Sequence, residues 1–273
     1  PTVTNPEQNS SAQDSSSITV AEPTDVTPKI FDAGQIQIAQ DIHNVSGQIL
    51  NNADITLKVQ DNIKNNGGEI QLPELQFNGQ NFENQEGKFT AKEINITAQN
   101  ANNQKGEINA TESFDLTVQQ LNNNQGRIQS AKALNLTAKQ IDNSKGQILA
   151  TDALVLNSDN TNNTEGVIAS VNSDATLNIT SLNNNKGEIS AHNVQLTGQT
   201  LNNQQGSLQA KTGDLTLKVD QIDNGLTQDT AGNLIAAKNV NITAQQLNST
   251  GQIYAGDKAD LTVQQLQQDG QLA

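Results

Sequence analysis

The feature that most constrains this chain is a glycine that returns every 19–21 residues, with an apolar residue two positions after it. The anchors are Gly47/Ile49, Gly68/Ile70, Gly87/Phe89, Gly106/Ile108, Gly126/Ile128, Gly146/Ile148, Gly166/Ile168, Gly187/Ile189, Gly206/Leu208, Gly232/Leu234, Gly251/Ile253 and Gly270/Leu272. Successive glycine spacings are 21, 19, 19, 20, 20, 20, 21, 19, 26, 19 and 19. Such a period marks a repeat architecture. Each unit is one supersecondary element that cannot bury a face alone and becomes stable by stacking on its neighbours.

Other positions recur within the unit. Three residues before the glycine stands an asparagine: Asn44, Asn65, Asn84, Asn103, Asn123, Asn143, Asn163, Asn184, Asn203 and Asn248. Two residues before that asparagine the chain is usually apolar, as at Ile42, Ile63, Phe82, Leu121, Ile141, Leu182 and Leu201. Between glycines lie alternating runs such as Phe114-x-Leu116-x-Val118, Leu134-x-Leu136-x-Ala138 and Leu215-x-Leu217-x-Val219. Period-2 alternation of this length is a strand with one buried face, and no segment has the spacing of a helix. Two short strands per unit, each paired in parallel with its copy one turn along, make an all-β parallel β-helix of about 12 coils of 19–21 residues. At a strand spacing of about 4.8 Å the rod is roughly 55–60 Å long.

Composition would by itself suggest disorder. The chain has 273 residues, of which 38 are Asn and 34 Gln, and only 33% are hydrophobic. Polar chains usually cannot bury enough apolar surface to fold. The repeat removes that objection, because only alternate residues need point inward and the hydrogen bonding runs between coils. The net charge is -14, aromatics are 2%, and Arg127 is the sole arginine, a poor endowment for contacting phosphates or stacking bases. The absence of cysteine excludes disulfides and thiolate sites. No run of 18 apolar residues could span a membrane, and no basic-then-apolar leader is present. Residues 1–33 hold four of the five prolines and the run Ser15-Ser16-Ser17. They read as a flexible leader or linker ahead of a repeat domain at 34–273.

The asparagine column has a structural role to fill. Stacked amides donate to and accept from their neighbours, and Asn tolerates the left-handed backbone of a tight turn. A ligand-binding column is the weaker reading, since the residue recurs with apolar neighbours. One interval breaks the period: after Ile222-Asp223-Asn224 come Gly225, Leu226, Thr227, Gln228, Asp229, Thr230 and Ala231 before the next anchor. An excursion at 225–231 is the best candidate for a binding loop. Pro73 points to an irregular coil, because an interior strand cannot spare its amide. His43 and His192 lie about seven units apart and are not expected to bind metal or catalyse. Asp152, Asp159 and Asp174 fall on neighbouring coils and read as a solvated face, not the calcium cleft of a polysaccharide-processing enzyme. No catalytic residue, cofactor or metal is therefore expected. The Asn-x-Ser/Thr tripeptides at Asn95, Asn135, Asn178, Asn241 and Asn248 fit a glycan-acceptor pattern. Four of them look like copies of one outward strand position. Phe77, Phe82, Phe89 and Phe114 occupy adjoining coils and are expected to stack in the core.

The written-out unit Leu134-Asn-Leu136-Thr-Ala138-Lys-Gln-Ile141-Asp-Asn143-Ser-Lys-Gly146-Gln-Ile148 resembles the haemagglutinin repeat of filamentous haemagglutinin-like exoproteins. The resemblance covers residues 34–273 and departs at the leader and at 225–231. It implies a right-handed β-helical filament of a Gram-negative bacterium, secreted through a two-partner-secretion transporter of the outer membrane and displayed on the cell surface. It also implies membership of a class that holds adhesins and contact-dependent growth-inhibition effectors. The expected role is a stalk that projects an adhesive, receptor-binding or toxin region toward a host cell or a neighbouring bacterium. The alternative is that this segment is itself the binding module, and an enzyme is the least favoured reading. The coil begun at Gly270 leads to the expectation of further repeats in the parent chain.

Overall fold

The computed structural model describes residues 18–20, 36–50, 56–227 and 230–273. They form a parallel β-solenoid of about 11 turns, close to the number of glycine anchors, and hold no helix. A regular coil shows how the sequence builds it. After Gly126 the short strand Arg127–Ser130 buries Ile128 and Ser130. A corner follows, and then the longer strand Leu134–Asp142 buries Leu134, Leu136, Ala138 and Ile141. Its alternation breaks at Lys139-Gln140, both exposed, where the strand bends. The second apolar run and the lone Ile141 thus belong to one bent strand, and the coil has three segments.

The coils stack with like on like. Ile108, Ile128, Ile148, Ile168 and Ile189 lie in register, as do Phe114, Leu134 and Leu154. This column of isoleucines is 0–1% exposed from end to end. Beside it runs a column of small residues at the first corner: Ala110, Ser130, Ala150 and Ser170. The two serines are buried without loss, because the one Ser130 hydroxyl hydrogen is within reach of both Glu112 O and Ala133 O, at 2.9 and 2.8 Å, and Ser170 Oγ donates to Asp152 O at 2.6 Å. Near the N-terminal end the core is aromatic. Phe82 lies 6.1 Å from Phe77 and 5.6 Å edge-on from Phe89, and both these rings and Phe114 are buried.

One local expectation needs correcting. Ile18–Val20 lies inside the segment read as a leader, yet it pairs in parallel with Ile42–Asn44, so the stack starts before Gly34. The rest of that leader lies outside the described residues. At Pro73 the coil is irregular, as expected, although the strand runs on through it. The strand Glu69–Asn78 pairs with Gln48–Leu50 before it and with residues 56–59 after it. Pro73 sits at the bend between those two registers, where it takes no place in the ladder. This corner has two residues between the buried Leu72 and Leu75, whereas the one from Ala110 to Phe114 has three.

The anchor glycine is set by a close approach between coils. A Cβ on Gly146 would lie 2.1 Å from Asn123 O and 2.7 Å from Asn143 Oδ1, far inside van der Waals contact. The same atoms crowd the anchors from Gly68 to Gly206. Gly146→Ala should therefore cost at least about 3 kcal/mol, because backbone and not a flexible side chain must move. The outward Gln129→Ala should stay within about 0.5 kcal/mol. Urea unfolding followed by circular dichroism separates the two, and equal midpoints would show that the turn column can spread.

Candidate functional site

The turn before each anchor glycine concentrates the polar chemistry of the molecule. In the coil closed by Gly146, Gly146 N donates to Asn143 O at 3.0 Å. The residue between them that adopts the left-handed conformation is Lys145, with φ 56°. This makes a β-turn with its strained residue at the third position. Neither the asparagine nor the anchor glycine carries the positive φ. It falls on Ser46, Gly67, Glu86, Lys105, Gln125, Lys145, Glu165, Lys186 and Gln205.

The asparagines form a continuous buried ladder. Each Nδ2 donates to Oδ1 of the next: Asn44 to Asn65 at 2.6 Å, then Asn84, Asn103, Asn123, Asn143, Asn163, Asn184 and Asn203 at 2.7–2.8 Å. The same amides reach backbone carbonyls, as Asn103 does to Gly106 O at 3.2 Å and Arg127 O at 3.1 Å. Every member is 0% exposed, so the column is closed to ligands. At its carbonyl end Asn44 Oδ1 has no partner among the described residues, and the residue in register there is Val20.

The structure moves one member of the column. Asn203 donates to Asn224 at 2.8 Å, and Asn224 donates to Ser249 Oγ at 3.2 Å. Asn248 instead lies in register with Asp223, one position earlier, and its Oδ1 is buried with no partner among the described residues. The reason is turn length. Asn224 stands eight residues before its glycine because of the insertion, and Ser249 only two residues before Gly251, so counting back three misses both.

A second column was not anticipated. In Asn102, Asn122, Asp142, Asn162, Asn183 and Asn202, the residue just before the ladder asparagine, Oδ1 accepts from the amide two residues on, at 3.0–3.3 Å. This Asx turn bends the chain into the β-turn. Its signal is the doublet Asn/Asp-Asn before x-x-Gly, legible once the roles are known. A third column occupies the first corner near the C-terminal end. Asp174 Oδ1 accepts from Asn193 N and Nδ2, Asn193 Oδ1 from Asp214 N, and Asp214 Oδ1 from Asn239 N and Nδ2, at 2.8–3.1 Å.

The insertion is a β-hairpin. Leu226–Thr227 pairs antiparallel with Thr230–Ala231, the one antiparallel pairing among the described residues, while its tip, Gln228 and Asp229, lies outside them. At its base Gly232 N donates to Gly225 O at 3.0 Å, and the solenoid resumes with Asn233 N donating to Gly206 O at 2.8 Å. The hairpin therefore leaves and re-enters at one point.

The remaining candidates do not converge. Asp174 is engaged in the corner column, Asp152 lies on the preceding corner and Asp159 at the bend within the strand Leu154–Asn162. Among the described residues no group of three or more His, Cys, Asp or Glu is placed to hold a metal ion. Of the tripeptide asparagines, Asn95, Asn135 and Asn241 share one outward column, but Asn178 does not. It lies two residues further on, in register with Asn157, to whose Oδ1 it donates at 2.8 Å.

These assignments separate two substitutions that look alike in sequence. Asn224→Ala removes the donor to Ser249 and the acceptor of Asn203 in a dry column, and should cost about 2–4 kcal/mol. Asn248→Ala removes an oxygen that has no partner among the described residues and should cost less than about 1 kcal/mol. Thermal unfolding of both variants checks the order, and a larger loss from Asn248→Ala would return it to the ladder.

With this geometry in place, a comparison with protein families gives one result. The family model described as haemagglutinin repeat matches residues 29–71, 74–131, 119–181, 160–234 and 212–272. No curated protein and no solved structure matches the chain. That family is one of structural and adhesive proteins and not of enzymes. Stacked units that share a glycine, an asparagine turn and two inward strands, matched over most of the length, make the chain a member of the haemagglutinin repeat family, with a filamentous haemagglutinin-like structural role.

Proposed function

We propose that the chain is a stalk segment of a large exported exoprotein of a Gram-negative bacterium, an adhesin or a contact-dependent growth-inhibition effector. It holds an adhesive, receptor-binding or toxin region away from the surface to which the protein is attached. A two-partner-secretion transporter in the outer membrane carries it out, and the molecule stays associated with that membrane. The observation that carries the reading is the unbroken register of coils. Each added unit extends the rod by one strand spacing and buries its own core, so length is gained without a new fold.

Modularity is testable on this chain. Removing residues 127–166 takes out two whole coils and joins Gly126 to Val167, in register. The product should fold and be shorter by about 10 Å, at about 4.8 Å per coil. Small-angle scattering reads the length. Loss of cooperative unfolding would show that the coils are not interchangeable spacers. Export by threading is consistent with the absence of cysteine. Two engineered cysteines that bridge distant coils should arrest secretion under oxidising conditions, and normal export of that variant would count against threading.

A second reading places binding on this segment, at the hairpin, because the excursion interrupts an otherwise repetitive surface. Deleting residues 226–231 joins Gly225 to Gly232. It leaves a turn as short as Ser249-Thr250-Gly251. The stalk reading expects that deletion to leave the parent protein's binding to target cells unchanged, and loss of binding with the fold intact would move recognition to the hairpin.

A further inference from the structure

The anchor glycines do more than permit close stacking. Their backbone floors an open trench of about 860 Å³ that runs along the rod from Gly47 to Arg127. One wall is the column of left-handed residues just before each glycine, and the other is the column just after it. The charges on these walls follow two rules. Along the axis they alternate: Glu69, Lys88, Glu107 and Arg127 are in register on one wall, and Glu86 precedes Lys105 on the other. Across the trench they are opposed: Glu86 faces Lys88 over Gly87 and Lys105 faces Glu107 over Gly106, and beyond its end Lys186 and Glu188 flank Gly187 with the same opposition. No anchor glycine is flanked by like charges.

The axial alternation is used within the molecule, where Lys88–Glu69 and Lys105–Glu86 approach to 3.8 and 3.5 Å. The opposition across the glycines is not. Glu107, Lys186 and Glu188 form no ion pair among the described residues. A chain of net charge -14 repels its own copies over most of its surface, but the six charges of the trench from Glu69 to Arg127 cancel.

We propose that this trench is a self-association surface on which a second copy of the rod lies parallel and in register, about a two-fold axis parallel to the solenoid. That operation sets each wall against the opposite wall of the same coil in the partner. Glu86 then meets Lys88 of the second copy and Lys105 meets Glu107, with both contacts repeated by symmetry, and Glu107 gains the ion-pair partner it lacks among the described residues. Only this orientation draws on the opposition across the glycine. An antiparallel pair would set each wall against itself and use the axial alternation instead. The contact is polar, narrow and exposed, so it suits rods crowded side by side and not a permanent dimer.

Sedimentation of the isolated segment and of two charge variants tests this. The first variant inverts one wall (Glu86→Lys, Lys105→Glu). The second inverts the other (Glu69→Lys, Lys88→Glu, Glu107→Lys, Arg127→Glu). Each keeps the alternation along its own wall, so circular dichroism and the melting temperature should stay near those of the parent. The parent should self-associate at low ionic strength, with an association constant that falls about tenfold or more at high salt. Each variant alone should be monomeric, and an equimolar mixture should restore association. A parent that stays monomeric at millimolar concentration and low salt overturns the proposal. So does a first variant that still self-associates, which is the antiparallel outcome, or a mixture that behaves as the sum of its parts.

Discussion

The structure depends on one close contact repeated at every coil: the backbone of an anchor glycine passing against the carbonyl and side-chain amide of an asparagine one coil back. At Gly146 that approach leaves no room for a Cβ. It brings Asn123 and Asn143 within 2.7 Å, so the amides can bond directly with water excluded. Each bond is worth only about 1 kcal/mol net, but breaking one strands a buried donor or acceptor, which costs more. The ladder therefore acts mainly against error. A coil that slips in register would bury an unpaired amide, and the correct stack is the arrangement that leaves almost none.

That constraint explains how so polar a chain can fold. The inward face of each coil needs only a handful of apolar side chains, because the coil above and the coil below supply the remaining walls. The isoleucine column, the small column at the corner and the bent strand each repeat with little variation, and the hydrogen bonds of the strands run between coils. Where the sequence departs from the pattern, the consequences stay local. Pro73 is placed at a bend, and the hairpin closes on itself through Gly225 and Gly232. A solenoid tolerates such changes because each coil contacts only its neighbours.

The same geometry separates the parts of the surface. Buried amides cannot bind anything, since every ladder member is fully covered. What the rod presents to its surroundings is the outward residues of the strands, the walls beside the glycine trench and one hairpin. For a spacer these are the features that can differ between coils without disturbing the stack. The charges beside the glycines and the insertion before Gly232 are two places where this chain is individual.

Much of the fold was determined by the sequence alone, because in a stacked repeat the period is the structure. Glycine spacing gave the coil length, alternation gave the inward columns, and Asn three residues before glycine gave the ladder wherever the turn had its regular length. The sequence could not show which residue would carry the positive φ, since Lys145 and Glu165 bear no mark of it. It also misplaced the column where turns change length: Asn248 looks regular by counting, and only pairing with Asp223 shows that Ser249 has taken its place. Asn178 misled in the same way, two residues out of the column that its tripeptide suggested. Local spacing is a proxy for register, and register is decided by hydrogen bonds between residues some twenty positions apart. Those bonds exist only in the assembled stack, as does the trench, whose walls are contributed one residue at a time by successive coils.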